Sequence, residues 1–171
     1  TEVTGQIVEY PVFGIKTEKD GQLTTVPLVG FGKFDALPVL EELKKRTEGK
    51  SFDHVEVTLR GTAIYNRDKV WMELTEGLES IVSIADKTHA SQQVVSLGQE
   101  TISGEVVDPK CFFGVMYPAY NKIHRSCAIR CISGGIPPVL AVKDSEGFSD
   151  YYFVTDENGE PLNQSILQYD N

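Results

Sequence analysis

VTLRGTAIYNRDKVWMEL (57–74) decides the fold class. Val55, Val57 and Leu59 alternate with polar residues, Gly61 interrupts the run, TAIY resumes it, Asn66-Arg67-Asp68 turns it, and KVWMEL returns. Alternation with period two places successive side chains on opposite faces of an extended chain, and β-branched and aromatic residues favour that surface. A glycine inside such a run permits the sharp bend that small barrels need. The stretch reads as strand, bend, strand, turn, strand.

The same character extends on both sides. VTGQIVEYPVFGI (3–15) and TTVPLVGFGKF (24–34) flank a polar turn carrying the hairpin signal Asp20-Gly21. LESIVSI (78–84), ETISGEVVDP (100–109), IPPVLAVKD (136–144) and DYYFVTDENGEPL (150–162) are further short strands. Ser145-Glu146-Gly147 and Asn158-Gly159 are turns. DKTHASQQVVSLGQ (86–99) reads as an exposed connection. One stretch breaks the pattern early. DALPVLEELKKRTE (35–48) predicts a helix, with Asp35 as cap, Pro38 in the first turn, basic residues late and a buried stripe of Leu37, Leu40 and Leu43. A second helix is predicted over 121–133, with Asn121 as cap, ended by Gly134-Gly135 and two prolines.

The expected fold is mainly β (all-β or α+β): a small OB-like barrel or sandwich with two short helices. A faint echo between 57–74 and 101–142 allows two related β units. The expected organisation is an N-terminal β-rich unit with one helix (1–85) and a Cys/His-containing β unit with one helix (100–171), able to pack as one domain.

All three cysteines fall within DPKCFFGVMYPAYNKIHRSCAIRCISGGIPP (108–138), with one of the three histidines among them, in the spacing C-x12-H-x2-C-x3-C. Cys111, His124, Cys127 and Cys131 supply a complete shell for a soft or borderline metal. On the expected helix the last three share one face, but His124 and Cys131 stand ~10.5 Å apart along it. One ion reaches both with difficulty. Unwinding near Cys131, which the following Gly-Gly permits, removes the difficulty, as does a wider centre such as [2Fe–2S], or binding by a subset completed by Met116 or a substrate. Zinc and [2Fe–2S] are the expected cofactors, and copper is less favoured. Phe112, Phe113 and Tyr117 are expected to wall the site.

Other readings of the same residues stay open. Three cysteines are an odd number, so a disulfide from Cys111 to Cys127 or Cys131 leaves one thiol over. A thiol enzyme would pair Cys127 with His124, with Asp108 orienting the histidine. His54 and His89 read as surface histidines. The sequence contains no G-x-S-x-G elbow, HExxH, phosphate-binding loop or CxxCH. A net charge of −9 and a pI near 4.8 argue against a nucleic-acid partner and against an anionic membrane surface.

Val107, Asp108, Cys111, His124, Cys127, Ala128, Cys131, Gly135, Pro137 and Pro138 give V-D-x-x-C, then H-x-x-C-A-x-x-C, then G-x-P before an apolar strand. This pattern resembles a short domain of uncharacterised bacterial exported or membrane-anchored proteins, over about residues 100–155. The resemblance implies an extracytoplasmic location and a grouped Cys/His site. It leads to an expected role as a metal- or iron–sulfur-binding module, with electron transfer within a larger protein or membrane complex as one form of it. The alternatives are a zinc- or disulfide-stapled interaction domain and the thiol enzyme. The chain begins at Thr1 without Met, so direct membrane contact is expected only through a segment preceding it.

Overall fold

The computed structural model describes residues 1–19, 21–90, 93–144 and 147–168, so Asp20, Ser145 and Glu146 of the two expected turns lie outside the described residues. The run that starts at Val55 forms β4 (Val55–Arg60), β5 (Thr62–Asn66) and β6 (Lys69–Leu74), broken at Gly61 and turned at Arg67-Asp68. Val55, Val57 and Leu59 are buried and the residues between them are not, as alternation requires. Ahead of them lie β1 (Glu2–Val8), β2 (Gly14–Lys19), β3 (Gln22–Gly30) and α1 (Leu37–Arg46); β7 (Ile81–Asp86) follows. These strands make one sheet in the order β5-β6-β3-β2-β1-β4-β7. Its ladders are antiparallel except for the parallel β3–β6 pair. Further along the chain, β8 (Glu105–Val107), α2 (Arg125–Ser133), β9 (Val139–Asp144) and β10 (Gly147–Phe153) follow, and the three strands form a second antiparallel sheet, β10-β9-β8.

The mainly β class is as expected, but the barrel is not formed. β5 and β7 end the large sheet without pairing to each other. The arrangement is instead sandwich-like, with the parallel pair between its layers. Parallel strands are stable where both faces are covered. Leu28 of β3 and Met72 of β6 face a core shared with Ile7, Ile15, Leu59 and the α1 residues Val39, Leu40 and Leu43. Their neighbours Val29 and Trp71 face the opposite side, into a second core with Phe112, Phe113 and Ile136 and with Val107, Val139 and Ala141 of the small sheet. The central strands therefore sit between two apolar layers.

Trp71 joins the sheets. Its ring centroid lies 5.5 Å from Phe113, 5.9 Å from Tyr151 and 5.6 Å from Phe153, and its indole N–H donates to the Tyr151 hydroxyl at 3.0 Å.

Both helices depart from expectation in their ends. In α1 the buried stripe is Val39, Leu40 and Leu43, while Leu37 is half exposed. The cap residue is Ala36, and the Asp35 carboxylate accepts the Leu37 N–H at 3.0 Å. α2 begins at Arg125, with His124 at its cap position. Asn121 does not cap it, because Asn121 adopts a left-handed φ of 65° that belongs to a turn. Its N–H bonds the Glu105 carboxylate, and its carbonyl accepts the His124 N–H at 2.9 Å. No helix among the described residues is long and apolar enough to cross a membrane.

Candidate metal centre

β8 ends at Val107 and delivers Asp108, which is fully buried. One carboxylate oxygen accepts the Cys111 N–H at 3.2 Å and its carbonyl accepts the Phe112 N–H at 3.1 Å. Asp108 thus anchors the start of the wide, π-type turn Cys111–Val115. Asn66 at the end of β5 fixes that turn from the large sheet, donating to the Phe112 carbonyl at 2.7 Å. α2 brings the other two thiols. Its C-terminal end is held by Asn163, whose side-chain N–H groups donate to the carbonyls of Ile132 and Ile136, each at 2.8 Å.

The result is two donor groups that share one residue. The Sγ atoms of Cys111, Cys127 and Cys131 lie within 4.8 Å of one another. Donor atoms of Asp108, Cys111 and His124 do the same on the other side of Cys111. His124 Nε2 meets the second Asp108 oxygen at 3.2 Å. The structure therefore brings the three predicted thiols together and links His124 to them through Cys111, with Asp108 behind it. The reach from His124 to Cys131 stays long, because His124 sits at the cap of α2 with its carbonyl accepting the Ala128 N–H at 3.1 Å, and it shares a donor group with Asp108 and Cys111 but not with Cys127 or Cys131. All three cysteines are free thiols.

Burial grades the site. Cys111, Cys131, His124 and Asp108 are buried, while Cys127 is half-buried. Cys127 Sγ faces the Met116 thioether at 3.7 Å, and Met116 is itself exposed. Phe112 and Phe113 close the inner wall as expected; Tyr117 does not, being 85% exposed.

The missed residue is Lys33. Its ammonium sits 2.9 Å from Cys127 Sγ and 3.5 Å from Cys131 Sγ. The hydrogen bond to Cys127 pushes the Lys33 pKa up to about 12. The hydrogen bond from Cys111 to Cys131 pushes the Cys111 thiol well above the ordinary range, with burial and the Asp108 charge adding to it. The same bond holds Cys131 below its ordinary range, against burial and with help from Lys33. Binding a metal through all three would release the Cys111 proton.

Neighbouring polar groups are also committed. Lys110, next to Cys111 in sequence, is 2% exposed, donates to the carbonyls of Gly30 (3.0 Å) and Gly32 (2.6 Å), and pairs with Glu73. The one sequence signal for Lys33 was its place after the glycine pair of GFGK (30–33), at the end of a strand. Nothing in that tetrapeptide points to sulfur.

This arrangement is compatible with metal binding. Three thiolates select soft or borderline ions, and a histidine backed by a buried carboxylate is the usual oriented ligand. No family model, curated protein or solved structure matches the chain.

Proposed function

We propose that the protein is a metal-binding module that holds one ion through Cys111, Cys127 and Cys131, with His124 as the fourth arm oriented by Asp108. The observation that carries this reading is the convergence of three sulfurs within 4.8 Å of one another in a chain whose only three cysteines are these. A cysteine kept for packing alone gains nothing from two others beside it. The compact trio favours a single ion such as zinc over a [2Fe–2S] centre, whose ligands divide into separated pairs. When bound, such an ion would supply a fixed positive charge and, at a redox metal, an electron site. The chain's residues supply orientation and a wall against water. Cys127 and Met116 lie on the solvent side and make the natural route of entry or exchange. An extracytoplasmic location and a protein or membrane-complex partner belong to the same proposal and rest on the resemblance of the 107–138 pattern.

Observations weigh against the thiol-enzyme reading. The Asp108–His124 bond is the one that reading expects, but the pair it needs is not made: Cys127 Sγ meets Lys33 and Met116, and the thiol that shares a donor group with His124 is the buried Cys111. A nucleophile needs a thiolate and access.

The test is elemental analysis and an absorption spectrum on protein purified reduced and without oxygen. One equivalent of zinc, or uptake of Co(II) with thiolate-to-cobalt bands, is the expected result. Cys111→Ser should release the ion. Iron with inorganic sulfide and a visible band would replace the single ion by a cluster on the same ligands. Metal-free protein that takes up neither Zn(II) nor Co(II) would sink the proposal.

A further inference from the structure

We propose that Lys33 is the charge partner of the thiolate centre: its ammonium donates to the sulfurs of Cys127 and Cys131 and balances the anion formed when three thiolates hold a divalent ion. This inference rests on the metal-binding reading and assigns that site a residue from outside the cysteine segment.

The charges set the requirement. Three thiolates and one divalent ion leave a net charge of −1, in a place where two of the three sulfurs are buried. A buried, unpaired charge is costly. Lys33 is placed to meet that need, at 2.9 Å and 3.5 Å from two of the sulfurs. The chain carries 25 carboxylate residues, any of which would be an ordinary partner for a surface lysine. Asp35, two positions on, instead turns its carboxylate to the Leu37 N–H.

The loop that carries Lys33 is built to stay where it is. It leaves β3 at Gly30 and passes over the end of α2. The Lys110 ammonium pins it from below through the carbonyls of Gly30 and Gly32. From the side, the Asp35 N–H donates to the Gly134 carbonyl at 3.3 Å. The two backbones touch so closely that a Cβ on Gly134 would lie 1.9 Å from the Lys33 carbonyl oxygen, and the Asp35 side chain packs on the next residue, where a Cβ on Gly135 would lie 2.1 Å from its carboxylate. The Gly134-Gly135 pair thus does more than stop a helix. It admits the loop of the large sheet to the thiol site, and the side chain that enters is Lys33.

The test uses the full chain, reduced and anaerobic, as wild type and as Lys33→Arg, Lys33→Gln and Lys33→Met. Each is titrated with Co(II), which is then displaced by Zn(II), so that affinity and the thiolate-to-cobalt bands are read together. Lys33→Met is expected to keep the band pattern, since the sulfurs are unchanged, and to lose about tenfold to a hundredfold in affinity, the usual effect of removing a partner of the ligands. Lys33→Gln keeps a donor without charge and should fall between; it also serves if Lys33→Met does not fold. Lys33→Arg should recover most of the affinity. Wild-type affinity in both uncharged variants overturns the role of Lys33 and leaves the metal site standing. A wild type that binds neither ion overturns both.

Discussion

The two cores of this molecule are built from different material. The one beneath α1 is filled by apolar side chains, among them Ile7, Ile15, Leu28, Leu43, Leu59 and Met72. The one between the sheets is apolar at its centre, around Trp71, but is bordered by Asp108, Lys110 and His124, all buried, together with Cys111 and Cys131. Buried polar groups are tolerated only when each has its partners. Here they do: Asp108 holds His124 and the Cys111 N–H, and Lys110 holds two carbonyls and Glu73. An apolar core needs only volume and pattern. The polar border fixes specific atoms at specific distances, and that is where chemistry can be carried.

Three perturbations sharpen this contrast. The largest effect is expected from Trp71→Ala, which empties the junction of the two sheets and strands the Tyr151 hydroxyl. It should cost about 3–5 kcal/mol in urea unfolding. A loss under about 1 kcal/mol would mean that the sheets do not depend on their shared core. Next is Lys110→Met, which leaves the Glu73 carboxylate and two carbonyls without their cation. A loss of about 3 kcal/mol is expected, and much of it should return in the double variant with Glu73→Gln, where no uncompensated charge remains. Equal losses in the single and double variants would show that the pair acts independently of its charges.

The smallest effect lies far from both cores, at Asp156. Its carboxylate accepts the N–H groups of Glu160 (2.9 Å) and Asn158 (2.8 Å), and the Glu160 bond in particular holds its pKa below the ordinary carboxylate range. A depressed carboxyl stabilises above its unfolded pKa and loses that contribution as pH falls through the folded one. Amide exchange at Glu160 should therefore speed up, relative to its intrinsic rate, only below about pH 4, with the sheet amides unaffected. Protection that does not change with acid would remove Asp156 as the turn's anchor.

Much of the fold was readable along the chain. The alternation of Val55, Val57 and Leu59 is a local signal, and those residues are buried on one face as it requires. The choice of sandwich over barrel was not readable. It depends on which strands pair across the chain, as β3 does with β6 and as the edge strands β5 and β7 do not, and no local pattern encodes a pairing across more than forty residues. The helix ends failed for a related reason. Leu37 has the spacing of a core residue, but the direction from which the sheet approaches buries Val39 instead. Asn121 is a good cap residue, but it is also among the residues that tolerate a left-handed φ, and the turn claimed it.

The amino-acid sequence on its own determined a β-rich chain and the confinement of every thiol and one imidazole to a single segment, because strand alternation and residue grouping are properties of neighbours. Tertiary structure alone decided that the thiols form a trio, that His124 turns to Asp108, and that Lys33, ninety-four positions from Cys127, completes the site. The direction of a side chain follows from backbone turns and from the close approach of distant backbones, as at Asn121 and Gly134, and these exist only once the chain has folded.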